Sequence, residues 1–133
     1  MQITKVVIFT DGVAEPNPGR AGIGAVIKDE HGKTVISISE SIGYGTNNQA
    51  EYRAVIVALE KAIDMGIRQV DLRSDSELLV NQINGKYRVK NAALKPLYQT
   101  VQELRSRLKG FSATHIPREL NKEADKLAAK SLK

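Results

Sequence analysis

The chain has 133 residues, 41% of them hydrophobic and 26% charged, which is the composition of one folded domain with a sizeable core. It has no cysteine, which excludes disulfides and thiolate metal sites, and no apolar run long enough to span a bilayer. Twenty Lys and Arg against fifteen Asp and Glu leave a net charge of +5, which favours polyanionic partners such as nucleic acid.

In chain order, Val6-Val7-Ile8-Phe9-Thr10 reads as a strand buried on both faces. It ends on Asp11, and Gly12 is expected to turn the chain away at once. A carboxylate at the tip of a buried strand is costly unless it is paired or binds something. Ligands gather at the carboxyl ends of strands in open sheets, although many Asp-Gly pairs are only turns. Residues 13–20, with Pro16, Asn17, Pro18 and Gly19, read as a loop. Residues 21–29 read as a second strand whose glycines imply close approach of a neighbour, without spelling a dinucleotide-binding fingerprint. His31-Gly32 marks a hairpin tip, and Lys33 to Gly43 a third strand, Val35, Ser37 and Ser39 alternating with Ile36 and Ile38.

The period then changes. Thr46-Asn47-Asn48-Gln49 offers N-caps to a helix with apolar Ala50, Ala54, Val55, Ala58, Leu59, Ala62 and Ile63, closed by Gly66. Glu51 falls in its first turn above Val55, Ala58 and Ala62, so it is expected to look inward at the end of the sheet. Gln69 to Asp75 reads as a fourth strand that again ends on a carboxylate, followed by a short helix from Ser76-Glu77 to Asn84. Lys86 to Asn91 is a cationic tract with one aromatic, either a solvated loop or a patch that tracks a phosphate backbone. Leu94, Leu97, Tyr98, Val101, Leu104 and Leu108 form an amphipathic helix with Pro96 in its first turn. Phe111 to Ile116 is a fifth strand, broken by Pro117-Arg118-Glu119. Leu120, Ala124, Leu127 and Ala128 are expected to face the core from a last helix, on which Asp125 shares a face with Asn121 and borders the core.

The order is βββαβααβα, with no repeat or linker, and is expected to form a single α/β domain over residues 1–133. Right-handed crossovers put the fourth strand beside and parallel to the first, with the fifth beyond it. Asp11 and Asp75 then sit on neighbouring strand tips, where Glu51 and Asp125 can also arrive. Four converging carboxylates cannot all stay ionised without a counter-charge. Oxygen ligands alone favour hard cations, Mg²⁺ first and Mn²⁺ second, and a pair of such ions about 3.5–4 Å apart suits phosphodiester cleavage.

Thr10-Asp11-Gly12, Asn17-Pro18-Gly19, Thr46 to Tyr52, Ser74-Asp75-Ser76 and Asn121 to Asp125 together resemble type 1 ribonuclease H, over nearly the whole chain. The resemblance implies a five-stranded mixed sheet flanked by helices, three strands antiparallel and two parallel. It also implies Mg²⁺-dependent cutting of the RNA strand in RNA–DNA hybrids, leaving 5′-phosphate and 3′-hydroxyl ends. Asp11, Glu51, Asp75 and Asp125 would be the metal-binding catalytic set, holding two Mg²⁺ ions with Mn²⁺ as substitute. Asn17, Asn48 and the backbone after Gly12 resemble readers of RNA 2′-hydroxyls. Thr46 and Asn91, with Asn47 nearby, resemble a pocket for a DNA-strand phosphate. In some members that pocket has an arginine where this chain has Tyr44.

The long basic insertion of some bacterial members is absent, so modest substrate affinity is expected. Arg118 is favoured over His115 as an auxiliary cation near the scissile phosphate, His115 reading as a strand residue with structural hydrogen bonds. The alternatives are a broader nuclease that also cuts double-stranded RNA, and a non-catalytic hybrid-binding domain. A monomeric, cytoplasmic protein without membrane attachment is the remaining expectation.

Overall fold

The computed structural model describes residues 2–133. Its strands are β1 (Lys5–Glu15), β2 (Gly19–Lys28), β3 (Thr34–Gly45), β4 (Gln69–Ser74) and β5 (Gly110–His115). They make one sheet in the spatial order β3-β2-β1-β4-β5, antiparallel through the first three and parallel from β1 to β5. The helices are α1 (Asn47–Asp64), α2 (Glu77–Ile83), α3 (Lys95–Ser106) and α4 (Lys122–Lys130). The expected order and the crossovers around β1 are both present.

The apolar faces explain the layering. Val6 and Ile8 of β1, Ala25 and Ile27 of β2 and Leu72 of β4 point to one side, where Tyr52, Val55 and Leu59 of α1 and Val101 and Leu104 of α3 cover them. Complete burial of side chains such as Leu59 and Leu72 contributes about 1.5–3 kcal/mol each. On the other side α4 lies directly on β2. A Cβ added to Gly24 would stand 2.2 Å from the Ala124 carbonyl oxygen and 2.5 Å from the Ala128 nitrogen. The close approach read from the second-strand glycines is this helix contact. Among the described residues, no helix is long and apolar enough to cross a membrane.

Three local expectations are corrected. Gly12 does not turn the chain: β1 runs on to Glu15, and its antiparallel register with β2 extends to Glu15 and Arg20. The parallel pairing with β4 stops at Thr10 and Ser74, so Asp11 is the first β1 residue beyond its β4 neighbour. Asp11 stands at a step in the sheet, beside the end of β4 and not at the end of its own strand. Gly12 serves packing instead, since a Cβ there would lie 2.3 Å from the Ala50 carbonyl carbon and 2.4 Å from the Glu51 nitrogen.

Glu51 is the fifth residue of α1, just past its first turn, because the Thr46–Gln49 capping box starts the helix at Asn47. Leu120 does not face the core; it is 64% exposed, at the end of a 3-10 turn over Arg118–Leu120. Asn121 occupies the inward position in its place, only 1% exposed, and Ala124 and Ala128 cover the sheet as expected.

Candidate active site

Asp11 reaches the site from β1, Glu51 from α1 and Asp75 from the bend after β4. One carboxylate oxygen of each lies within 4.8 Å of the others. A cleft of about 310 Å³ is lined by these three residues with Gly12, Val13, Asn47, Arg118 and Asp125. Asp125, in the first turn of α4, comes close enough to Asp11 for the two carboxyls to share a proton. All four expected carboxylates therefore meet in one cleft, three as a tight cluster and Asp125 at its edge.

Local structure fixes each of them. The Gly12 nitrogen donates to Glu51 Oε1 at 2.8 Å, across the contact that only glycine permits. Ser74 is fully buried, and its hydroxyl accepts from the Ser76 nitrogen at 3.1 Å, which shapes the bend carrying Asp75. The Ser76 hydroxyl caps α2 by accepting from the Leu79 nitrogen. Behind Glu51, the buried Tyr52 hydroxyl donates to Gln82 Oε1 at 2.6 Å and ties α1 to α2. Burial, then the neighbouring Tyr98, push the Tyr52 hydroxyl pKa upward.

The electrostatics are those of crowded like charges. Burial, then the charges of Asp75 and Asp125, push the Asp11 carboxyl up from 3.8 to about 7. Burial, then Asp11 and Asp75, hold Glu51 well above the usual carboxylate range, against the lowering effect of the Gly12 hydrogen bond. Among the described residues, no Lys or Arg forms an ion pair with Asp11, Glu51 or Asp75. A compact, all-oxygen donor set in which Asp11 and Glu51 hold their protons for lack of a counter-charge fits a hard divalent cation.

The rim differs in kind. Asn47 Oδ1 accepts from the Ala14 nitrogen at 2.7 Å, and Asn17 Oδ1 accepts from the Asn47 nitrogen at 3.0 Å. Thr46 Oγ1 accepts from the Gln49 nitrogen, so the side-chain oxygens of Asn17, Thr46 and Asn47 are all engaged within the protein. With one bond accepted by each oxygen, the N–H and O–H groups of these side chains remain available as donors, next to the exposed Asn48.

Arg118 is 82% exposed, with Nη2 3.9 Å from Asp125 Oδ1. His115 ends β5 opposite Ser74; its side chain is exposed and forms no hydrogen bond among the described residues. Asn91 lies in the turn before α3 and does not line this cleft, with Oδ1 accepting from the Ala93 and Leu94 nitrogens. A second cleft lies beside it, lined by Tyr44, Gly45, Gln49, Arg53 and Ala93, with Tyr44 74% exposed.

The comparisons with known proteins agree with this arrangement. A family model described as reverse transcriptase-like matches residues 9–131. A protein named Ribonuclease H from Chlorobium phaeobacteroides (strain BS1) is 35% identical over 150 residues, covering 97% of this chain and 96% of the relative. This chain belongs to the type 1 ribonuclease H family. Ribonuclease HI of Halobacterium salinarum is 38% identical over 128 residues, and the crystal structure of that archaeon's RNase H1 superposes with a TM-score of 0.94, covering 96% of this chain and 97% of that one. LC11-RNase H1, solved in complex with an RNA/DNA hybrid, is 42% identical with a TM-score of 0.89, covering 96% of this chain and 99% of that one. The chain spans 64% of the full length of the Halobacterium protein and 34% of that of its mycobacterial relatives.

One buried polar residue beside the carboxylate cluster is not evident from the sequence. Asn121 Nδ2 donates to the Thr10 carbonyl at 2.9 Å and to Asp75 Oδ2 at 3.3 Å. An Asn four residues before an Asp predicts a shared helix face, but not a side chain turned away from its own helix.

Proposed function

We propose that this protein is an endoribonuclease that hydrolyses the RNA strand of RNA–DNA hybrids. The observation that carries the reading is the convergence of Asp11, Glu51 and Asp75 within 4.8 Å, beside Asp125, in an open cleft of a chain with net charge +5. Asp11, Glu51, Asp75 and Asp125 would hold two Mg²⁺ ions, with Mn²⁺ as a substitute. Bound there, the ions would supply positive charge against the phosphate and would acidify a water. A water oxygen bonds to phosphorus and gives up a proton as the bond from phosphorus to the 3′ oxygen breaks; that oxygen takes up a proton from solvent, leaving a 5′-phosphate and a 3′-hydroxyl.

The chain's own groups orient the duplex. Asn17, Asn48 and the Gly12 segment lie where donors can meet 2′-hydroxyls of the RNA strand, which DNA lacks. Thr46, Asn47 and Asn91 offer donors to a phosphate of the DNA strand. Arg118, exposed at the mouth of the cleft, supplies a cation to the scissile phosphate or product. The LC11 relative solved with a hybrid supports the choice of substrate. A monomer in the cytoplasm completes the reading, the lack of cysteine being compatible with that address.

The test is cleavage of a labelled RNA–DNA hybrid with and without Mg²⁺, alongside a double-stranded RNA of the same sequence. Asp11→Asn is expected to reduce Mg²⁺-dependent cleavage to background while the protein stays folded. Retained cleavage by Asp11→Asn, or none by the unaltered protein, rejects the assignment. Equal cutting of both duplexes would widen the substrate class.

A further inference from the structure

Asn121 breaks local rules in two ways that its neighbours do not. It stands at the N-cap of α4, where an Asn side chain ordinarily accepts a backbone N–H and stabilises the helix by about 1 kcal/mol. Its side chain makes no such bond. Its Oδ1 is also buried without a hydrogen-bond partner, an arrangement that costs stability. The one polar gain is on the nitrogen, shared between the Thr10 carbonyl and Asp75 Oδ2. Reversing the amide would set oxygen against a carbonyl and a carboxylate, neither of which can donate, so the chemistry fixes the orientation.

The position of that nitrogen matters. Thr10 is the last β1 residue paired with β4 and immediately precedes Asp11. Asp75 follows the last residue of β4. The Asn121 carbonyl accepts from the Asp125 nitrogen at 3.1 Å. A single buried residue thus braces the segments carrying three of the four carboxylates. Local rules broken together at one residue mark a position selected for something other than stability.

We propose that Asn121 is a positioning residue whose side-chain amide sets where the Asp75 carboxylate stands relative to Asp11, and through it the affinity of the site for a divalent cation. This rests on the metal-binding reading of the cluster given above. Groups placed one step behind metal ligands typically change affinity about 10–100-fold when removed.

The test measures Mn²⁺ binding by titration calorimetry, and metal-free thermal unfolding, for the unaltered protein and three variants. Asn121→Ala removes the donor. Asn121→Asp keeps the shape but exchanges the donor for an acceptor. Glu123→Ala removes the Lys28–Glu123 ion pair at 2.7 Å, a separate tie between α4 and the sheet.

Both Asn121 variants are expected to weaken Mn²⁺ about 10–100-fold at temperatures where they are folded, Glu123→Ala leaving it unchanged. In cleavage assays the Asn121 variants should need correspondingly more metal for half-maximal rate. A lowered melting temperature with unchanged Mn²⁺ affinity would show that Asn121 only supports the fold, and would overturn the inference. Equal weakening by Glu123→Ala would assign the effect to helix docking in general and overturn it as well. If the unaltered protein binds no divalent cation, the reading of the cluster fails, and this inference with it. Should Asn121→Ala not fold, Asn121→Asp decides on the same criteria.

Discussion

Two halves of β1 lie side by side and obey opposite rules. Val6 and Ile8 are fully buried among aliphatic and aromatic side chains of α1 and the sheet. Thr10 and Asp11 are almost as buried, at 0% and 8% exposure, yet Thr10 Oγ1 has no hydrogen-bond partner and Asp11 faces other carboxylates. In the first half local propensity, packing and burial agree. In the second they conflict, and the order of the first half holds the conflict in place. The difference locates function within the sheet, because unsatisfied polarity persists only where surrounding structure enforces it.

The largest test of this contrast strikes the supporting half. Leu72→Ala removes a fully buried side chain of β4 and is expected to destabilise the fold by about 2–5 kcal/mol in denaturant unfolding. Divalent-cation affinity should stay near its original value while the protein is folded. A large loss of affinity would mean that the two halves are not separable.

The second test strikes the conflicted half. Asp11 titrates at about 7 in the folded protein against an ordinary 3.8, so the folded state keeps its proton longer than the unfolded chain does. The contribution of Asp11 to metal-free stability should therefore be full below about pH 4 and be lost as pH rises towards 7, a loss on the order of a few kcal/mol. Asp11→Asn should remove much of that slope and be the more stable protein at neutral pH without metal. Denaturant unfolding across the pH range with a chelator present checks the sign. Stability that rises over this interval would refute the picture of crowded charges.

The smallest effect belongs to the periphery. Arg118 is mostly exposed and 3.9 Å from Asp125, so Arg118→Ala should change folding stability by less than about 1 kcal/mol. Any larger consequence should appear in the cleavage rate of hybrid, not in unfolding.

Much of the conflicted half was legible before any coordinates. Asp11 and Asp75 each follow a short apolar strand, and right-handed crossovers place those strands together. Glu51 sits above a column of alanines and valine that can only face inward. What sequence did not reveal is tertiary in origin. Gly12 looks like a turn because Asp-Gly usually is one; its actual role, admitting the backbone of α1, exists only once α1 is docked. Leu120 fits the period of the last helix, but that helix starts after it, and Asn121 claims the inward position through bonds to β1 and Asp75, 111 and 46 residues away in sequence. Periodicity sees neighbours along one element and is blind to such partners.

The engaged oxygens of the rim have a final consequence for the cleft. Asn47, whose Oδ1 is taken by Ala14, and Glu51, whose carboxylate is lifted by its companions, line the same cleft four residues apart, about 6 Å along the axis of α1. One presents amide hydrogens to the cleft; the other presents a carboxyl that keeps its proton for want of a counter-charge. The lining therefore changes from amide donor to carboxyl within about one helical turn.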